Sequence, residues 1–552
     1  MKKLITFLLI LCMLALTVLS GCSGDGTAAS GTESKKTETE FMDYVDVTKD
    51  IEVTKSTDKY RNYYEIFLYS FYDSNGDGIG DIQGLISKLD YLNDGDPTTD
   101  TDLGVDGIWL MPIMPSPSYH KYDVTDYYGI DPQYGTIDDF KQLIAECDKR
   151  GINVIIDLVI NHCSSQHPLF VQAKKEVAAG NLDGNAKYFS IKQFDKKPDG
   201  WSNISGNWYY ECNFTPQMPE FDLSGQAARD EIRNIVKYWL DLGVGGFRLD
   251  AVTYYSNDYT DGAEFLSWLY GTVEEINPKA YVVGEYWYNV PSSISDMYKS
   301  GVDSLFNFPF SGLDGNIIDS VNTNAGASFA ASSLEMQEIY MRGNPNMIDA
   351  VFLSNHDQQR SSGPLGKDTV KMKMAAAAYM LLPGNPFIYY GEEIGMGGNC
   401  ATDPDKRTGM VWSLTDLTGY TQMPPGAKNT YKPEQGVDEQ LKDKDSLLNY
   451  YKRIIKIKNQ NPEIARGRIT EVIDLGKISV GAYKVKYNDS QLIIVHNMSD
   501  HPRTVTISKA EHNYSSLRGD LVAGKAAEGE QPYITLDGET LYLPPYSTAI
   551  LK

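Results

Sequence analysis

The run Gly245-Gly246-Phe247-Arg248-Leu249-Asp250-Ala251-Val252 sets a cation and an acid two residues apart. In a β-strand, residues two apart share a face, so the Arg248 guanidinium stands beside the Asp250 carboxylate. A cation that close favours the charged form of an acid. An ionised, positioned carboxylate can act as a nucleophile. A purely structural Arg–Asp pair at a strand end would read the same, and three further runs weigh against it. Residues 154–162 (VIIDLVINH) are apolar up to a polar tip, residues 280–285 (AYVVGE) end in a lone acid, and residues 350–357 (AVFLSNHD) end in His-Asp. Near-continuous apolar runs with helical patterns between them indicate buried parallel strands in βα units. Polar tips at the C-terminal ends of several such strands mark the active face of an α/β protein of the (β/α)8 TIM-barrel class.

The helices that must carry these strands are visible as well. Residues 225–242 place Ile232, Ile235, Val236, Trp239 and Leu240 on one helical face before the Arg248 strand, and residues 368–382, rich in Ala and Met, precede a last strand at 386–392. Residues 63–71 (YYEIFLYSF) are the first strand candidate and 105–113 the second, after an acidic, solvated insert at 93–102. After His162 the helix–strand rhythm breaks. Residues 163–222 form a long irregular excursion whose aromatics, among them Trp201, Trp208, Tyr209 and Tyr210, speak against disorder. From about residue 465 the pattern changes to short β-rich runs such as 492–495 and 541–543.

Taken in order, DLVINH (157–162), GFRLD (246–250), GEYW (284–287) and FLSNHD (352–357) resemble the four signature regions of the α-amylase family, glycoside hydrolase family 13. GVDGIWLMPI (104–113), MPEFDL (218–223) and GNPFIYYGEEIGM (384–396) resemble further family regions, and the match runs over roughly residues 60–550. The resemblance implies a catalytic barrel from 59–162 and 223–464, an inserted domain B at 163–222, and a C-terminal antiparallel β-sandwich at 465–552. It also implies glycoside hydrolysis with retention, which uses two carboxyl groups about 5–5.5 Å apart. Asp250 matches the nucleophile and Glu285 the proton donor, whose pKa must be raised. Asp357 matches the acid that binds sugar hydroxyls and stabilises an oxocarbenium-like transition state. Tyr122 matches an aromatic that stacks on the sugar, and His162, His356 and Arg248 belong with the substrate-binding set. Asp157 supports the site from behind.

Directly after the first strand, Asp73-Ser74-Asn75-Gly76-Asp77-Gly78-Ile79-Gly80-Asp81 follows the first nine positions of an EF-hand loop. Oxygen ligands fall at Asp73, Asn75, Asp77 and Asp81, with the Ile79 carbonyl between them. Position 12 is Gly84 rather than the bidentate Glu, and a metal-free Asx-turn loop is the alternative. A similar loop in the oligo-1,6-glucosidase branch of the family holds a divalent ion, so the expected cofactor is a structural Ca2+, with Mg2+ as the alternative.

The chain of 552 residues carries a formal net charge of −24, which argues against nucleic acid and anionic membrane surfaces as partners. Met1-Lys2-Lys3, an apolar run over 4–18 and Leu19-Ser20-Gly21-Cys22 make a secretory signal whose end resembles a bacterial lipobox. The expectation is cleavage before Cys22, its lipidation, a flexible tether over 23–58, and a monomeric enzyme lipid-anchored outside the cytoplasmic membrane. Cys147, Cys163, Cys212 and Cys400 are widely spaced, without a metal-binding pattern, and a Cys163–Cys212 disulfide is conceivable.

Specificity is mixed. The metal loop, Asn355-His356-Asp357-Gln358 and the motif at Arg407 resemble oligo-1,6-glucosidases, whereas MPEFDL and Tyr119-His120-Lys121-Tyr122 resemble amylases and neopullulanases. The mixture resembles the intermediary group of the family. Ala251 stands where α-1,6-cleaving relatives usually have Val, which leads to α-1,4 cleavage of starch and maltodextrins. The alternatives are an exo-acting α-glucosidase, a transglycosylase, an inactive carbohydrate-binding member and a lipid-tethered solute-binding protein.

Overall fold

The computed structural model describes residues 44–552, apart from Thr54, Asn257 and Asn399. The signal, Cys22 and the first part of the tether lie outside the described residues. Eight parallel strands form one sheet: Tyr63–Ile66, Gly107–Leu110, Asn153–Leu158, Gly246–Leu249, Tyr281–Gly284, Ser304–Leu305, Ala350–Phe352 and Asn385–Tyr389. A parallel bridge between Phe306 and Ala350 joins the sixth strand to the seventh and closes the barrel.

Period-two alternation sorts the strand residues into two cores. Tyr63, Trp109, Ile155, Tyr281, Val283, Phe306, Phe352 and Phe387 point inward and fill the barrel as one aromatic-rich cluster. Tyr64, Ile108, Ile156, Phe247, Leu249, Val282 and Ile388 point outward against the helices. One of those helices, Gln226–Asp241, buries Ile232, Ile235, Val236, Trp239 and Leu240 as its pattern predicts. Another, Thr369–Met380, is buried on nearly every side, which suits its run of alanines.

Glycine is required where the third, fourth and fifth strands approach. A Cβ on Gly246, at φ +147°, would lie 1.9 Å from the Tyr281 carbonyl oxygen, and one on Gly245 would lie 1.8 Å from Asn153 Oδ1. The glycine pair therefore lets the Arg248 strand sit close between its neighbours.

The excursion after the third strand holds a helix, Pro168–Ala178, and a three-stranded antiparallel sheet of Ile191–Gln193, Trp201–Ser205 and Trp208–Glu211. It returns through bridges from His162 to Glu220 and from Phe189 to Phe221. The C-terminal region packs a five-stranded against a three-stranded antiparallel sheet around Val480, Val495, Val505, Leu541 and Leu551. No helix among the described residues is long and apolar enough to cross a membrane.

Two expectations are corrected, and the Cys163–Cys212 alternative is decided. Residues 44–58, read as the end of the tether, lie against the barrel: Gln460 donates to the carbonyls of Thr48 and Ile51 at 2.9 and 2.8 Å, and Arg466 pairs with Asp58 at 2.8 Å. Those contacts use carbonyls and charges, so a scarcity of apolar residues concealed them. The conceivable Cys163–Cys212 disulfide is not formed; both are free, buried thiols, with Cys212 Sγ donating to Ser202 Oγ at 3.4 Å. The first strand ends at Ile66, because residues 68–70 turn into a 3-10 helix whose carbonyls are taken by Gly80 and Met410.

Candidate active site

The barrel interior changes character along its axis. Beyond the aromatic filling, the next inward positions are Glu65, Asp157 and Arg248, joined at the strand ends by Glu285 and His356. Asp157 and Arg248 are direct register partners on the third and fourth strands. Arg248 is fully buried, its guanidinium 5.1 Å from the centroid of the Trp109 ring. Its Nη1 lies 2.8 Å from Asp157 Oδ1 and 2.8 Å from Asp250 Oδ1, and its Nη2 lies 2.9 Å from Glu285 Oε1. One guanidinium thus gathers three carboxyl groups, Asp157 and Asp250 on Nη1 and Glu285 on Nη2. A buried cation so placed offsets the cost of burying the acids.

The backbone after Asp250 is also specialised. Ala251 takes a left-handed conformation, φ 52°, which is uncommon for a residue with a Cβ. Its N–H donates to Glu285 Oε2 at 3.0 Å. Glu285 is therefore held at both oxygens, by Arg248 and by Ala251. Burial pushes the Glu285 pKa up to about 7; Arg248 opposes the rise, while Asp250 and Asp357 add to it. Asp157 is raised by burial to about 6 against the pull of Arg248.

A second cation cluster holds Asp357. His356 Nε2 lies 3.0 Å from Asp357 Oδ2, and Arg407 Nη2 lies 2.5 Å from Asp357 Oδ1. Burial alone would raise the Asp357 pKa, but His356, Arg407 and Arg248 together hold it far below the ordinary carboxylate range. Tyr122 stacks on His356 with ring centroids 5.5 Å apart, and its hydroxyl reaches His356 Nε2 at 2.7 Å and Asp157 Oδ2 at 3.0 Å. The residue before it, Lys121, has φ 66° and pairs with Asp131 at 2.8 Å, which fixes the loop that presents Tyr122. The buried Nε2 of His162 has no hydrogen-bond partner among the described residues. Such an atom is costly unless something supplies a partner, and a polar ligand would. Phe214, Tyr254, Trp287 and Tyr288 are large aromatic side chains left exposed by the loops around these groups.

Asp250, Glu285, Asp357, Tyr122, His356 and Arg248 therefore meet at one end of the barrel, and His162 joins them through domain B, where its ring lies 5.0 Å from Phe214. Arg407, known in the sequence only as part of a motif, proves to be a direct partner of Asp357. Glu65 was not singled out at all, although a lone acid in the otherwise apolar run YYEIF was a readable signal. Chemically, the arrangement sets one carboxyl group that keeps its proton to about pH 7 beside a second carboxylate on the same guanidinium, with a third acid held ionised across from them.

The loop over 73–81 lies after the first strand, outside this cluster. Asp73 accepts the N–H groups of Asn75, Gly76 and Gly78, Asn75 accepts from Asp77, Asp77 accepts from Ile79, and Asp81 accepts from Ser74 and Gly84. Gly76 and Gly78 take positive φ, as the tight turns require. Among the described residues no three His, Cys, Asp or Glu side chains converge as a ligand cluster. The all-oxygen donor set nevertheless has the chemistry of a hard-cation site.

The family model described as "Alpha amylase, catalytic domain" matches residues 65–467, and that described as "Alpha-amylase SusG C-terminal domain" matches 480–550. The chain belongs to the α-amylase family. Its relatives carry two named activities. "Alpha-amylase 3" of Dictyoglomus thermophilum is 35% identical over 499 residues, covering 89% of this chain and 93% of that protein. An "Oligo-1,6-glucosidase" of Parageobacillus thermoglucosidasius is 28% identical over 517 residues, covering 79% of this chain and 89% of its own. Among solved structures, "Eubacterium rectale Amy13B" superposes with a TM-score of 0.84 at 40% identity, covering 92% of this chain and 98% of that one. This α-amylase-family chain is accordingly a glycoside hydrolase acting on α-glucans, with the barrel and C-terminal β-domain of the family.

Proposed function

We propose that the enzyme is a retaining, endo-acting hydrolase of α-1,4-glucosidic bonds in starch and maltodextrins. The observation that carries the reading is the single Arg248 guanidinium holding Asp250 on Nη1 and Glu285 on Nη2. Two carboxyl groups bound to neighbouring nitrogens suit the short separation, about 5–5.5 Å, that retention uses. In this reading Asp250 attacks the anomeric carbon, Glu285 protonates the leaving oxygen, and Asp357 binds sugar hydroxyls and supports the developing positive charge. His162 Nε2 hydrogen-bonds the same sugar, His356 holds Asp357 in place from behind, and Tyr122 stacks against the sugar. The exposed Phe214, Tyr254, Trp287 and Tyr288 suit contact with several sugar units, which favours a polymer over a disaccharide. The relative at 35% identity is named an α-amylase and the one at 28% an oligo-1,6-glucosidase. Incubation with amylose, pullulan and isomaltose separates the two readings. Endo α-1,4 action predicts a spread of short maltooligosaccharides from amylose and no hydrolysis of isomaltose. Glucose released from isomaltose as the fastest reaction would overturn it in favour of an oligo-1,6-glucosidase.

We also propose that Asp73, Asn75, Asp77, the Ile79 carbonyl and Asp81 hold a divalent ion, Ca2+ rather than Mg2+, that stabilises the loop and takes no part in the chemistry. The oxygen-only donor set at alternating positions supports it. A bound ion stabilises the folded state by mass action, so chelation is expected to lower the melting temperature by a few degrees, with restoration on adding Ca2+. An unchanged melting curve in chelator, with no metal in the purified protein, would refute the site.

For location, we infer a lipid-anchored enzyme outside the cytoplasmic membrane, from the basic start, the apolar run and Leu19-Ser20-Gly21-Cys22. Stable attachment needs more than one acyl chain. Cys22→Ala is expected to release active enzyme into the medium or to leave its signal uncleaved, without changing turnover. Wild-type enzyme found in the cytosolic fraction would contradict this.

A further inference from the structure

We propose that Glu65 is a positioning residue: its carboxylate fixes the charge and aim of His356, and through His356 it fixes the carboxylate of Asp357. The inference rests on the reading that Asp357 contacts substrate. Glu65 is the third residue of the first strand, in the sequence YYEI, whose four residues are all buried. It is 1% exposed and His356 is 0% exposed. Glu65 Oε1 lies 2.6 Å from His356 Nδ1, on the opposite side of the ring from Asp357.

The geometry constrains the proton count. Carboxylate oxygens face both ring nitrogens of His356: Glu65 at Nδ1, and Asp357 Oδ2 at Nε2 at 3.0 Å. A neutral imidazole has one N–H, so one carboxylate would then face a nitrogen lone pair. The imidazolium satisfies both, donating Nδ1–H to Glu65 and Nε2–H towards Asp357 and the Tyr122 oxygen at 2.7 Å. The Tyr122 hydroxyl is then free to donate onward to Asp157 Oδ2 at 3.0 Å. Charge-assisted bonds of this kind are short and strong, and they set orientation as well as charge.

The other groups around His356 are consistent with this. From the loop after the eighth strand, Arg407 donates Nε–H to the His356 carbonyl at 3.1 Å and Nη2–H to Asp357 Oδ1. Asp157 on the third strand and Asp357 on its own loop favour the cation. Arg248 on the fourth strand opposes it from beside Tyr122, Glu285 faces Asp357 from the fifth, and the edge of Trp109 packs 5.6 Å away. Burial lowers the His356 pKa, but Asp357 and Glu65 outweigh it and raise it to about 9. Without Glu65 one of those two carboxylates is gone. The ring can then lose its proton within the working range, and Asp357 loses one of the three cations that hold it ionised.

The test is Glu65→Gln, which keeps shape and removes charge. Loss of a hydrogen bond to a charged group predicts a fall in kcat/KM of roughly 10–100-fold near pH 8. The deficit relative to wild type should shrink to within about threefold near pH 5.5, roughly one unit below the ordinary histidine pKa of about 6.5, where His356 is protonated without help. A merely structural defect would give the same deficit at both pH values. The chain has seven histidines, so 15N-histidine NMR can follow His356 directly. In wild type it should stay charged past about pH 8, in accord with its raised pKa, and in Glu65→Gln it should titrate lower by at least about one unit. A wild-type His356 that titrates in the ordinary range overturns the proposal without any variant, so it stays falsifiable even if Glu65→Gln does not fold. A pH-independent deficit, or an unchanged His356 titration in a folded Glu65→Gln, overturns it equally. Asp357→Asn is the control on the underlying reading: if it keeps full activity, the role given to Asp357 fails. If Asp357→Asn is inactive while Glu65→Gln matches wild type, only the positioning role fails.

Discussion

Glu285→Gln is expected to lower kcat by roughly 10²–10⁴-fold, the contribution typical of a positioned general acid. The side chain keeps its size and its Ala251 N–H contact through the amide oxygen, so the protein should stay folded. Asp250→Asn should cost more, because the amide cannot form the covalent intermediate. The two variants should differ in their pH profiles. Glu285 holds its proton up to about pH 7, so wild-type activity should fall as pH rises through that value. In Glu285→Gln the residual activity should lack this alkaline limb. Wild-type-like turnover of starch by either variant would remove the assignment.

The second large effect concerns Arg248. Replacing it with methionine removes the cation from Asp157, Asp250 and Glu285 together, leaving buried acids without their partner. Breaking a buried pair in this way costs about 3–5 kcal/mol, a large part of the roughly 5–15 kcal/mol that a folded domain has. The sign of the pH dependence follows from the acids. Asp157 and Glu285 have folded pKa values of about 6 and about 7, above their ordinary values, so their burial is easiest at low pH and is penalised as pH rises through that window. The melting-temperature deficit of Arg248→Met should therefore be larger at pH 8 than at pH 5. Equal melting temperatures for variant and wild type at pH 8 would show that the network does not hold the barrel top together.

Much of this was legible in the sequence because the barrel writes its active face into strand ends. DLVINH, GFRLD, GEYW and FLSNHD each join an apolar strand to a polar tip, and the structure brings those tips together. The sixth strand, Ser304–Leu305, escaped because two residues carry no periodicity. Glu65 escaped for a related reason: it lies inside a strand, where the pattern reads as core, and its partner His356 is far away in sequence. Arg407 sits in a loop whose course depends on tertiary contacts with Tyr119, His356 and Asp357. The docking of residues 44–58 was hidden because its contacts run through backbone carbonyls, which every sequence has, and through charged side chains such as Asp58. The EF-hand-like spacing was plain, but spacing gives ligand order and not convergence.

If Asp250 and Glu285 form a retaining pair on one guanidinium, the first product keeps the α configuration. Proton NMR of maltooligosaccharide hydrolysis, recorded before mutarotation equilibrates the ends, should show the α-anomer of the new reducing end appearing first. Initial appearance of the β-anomer would mean inversion and would rule out Asp250 as a nucleophile paired with Glu285.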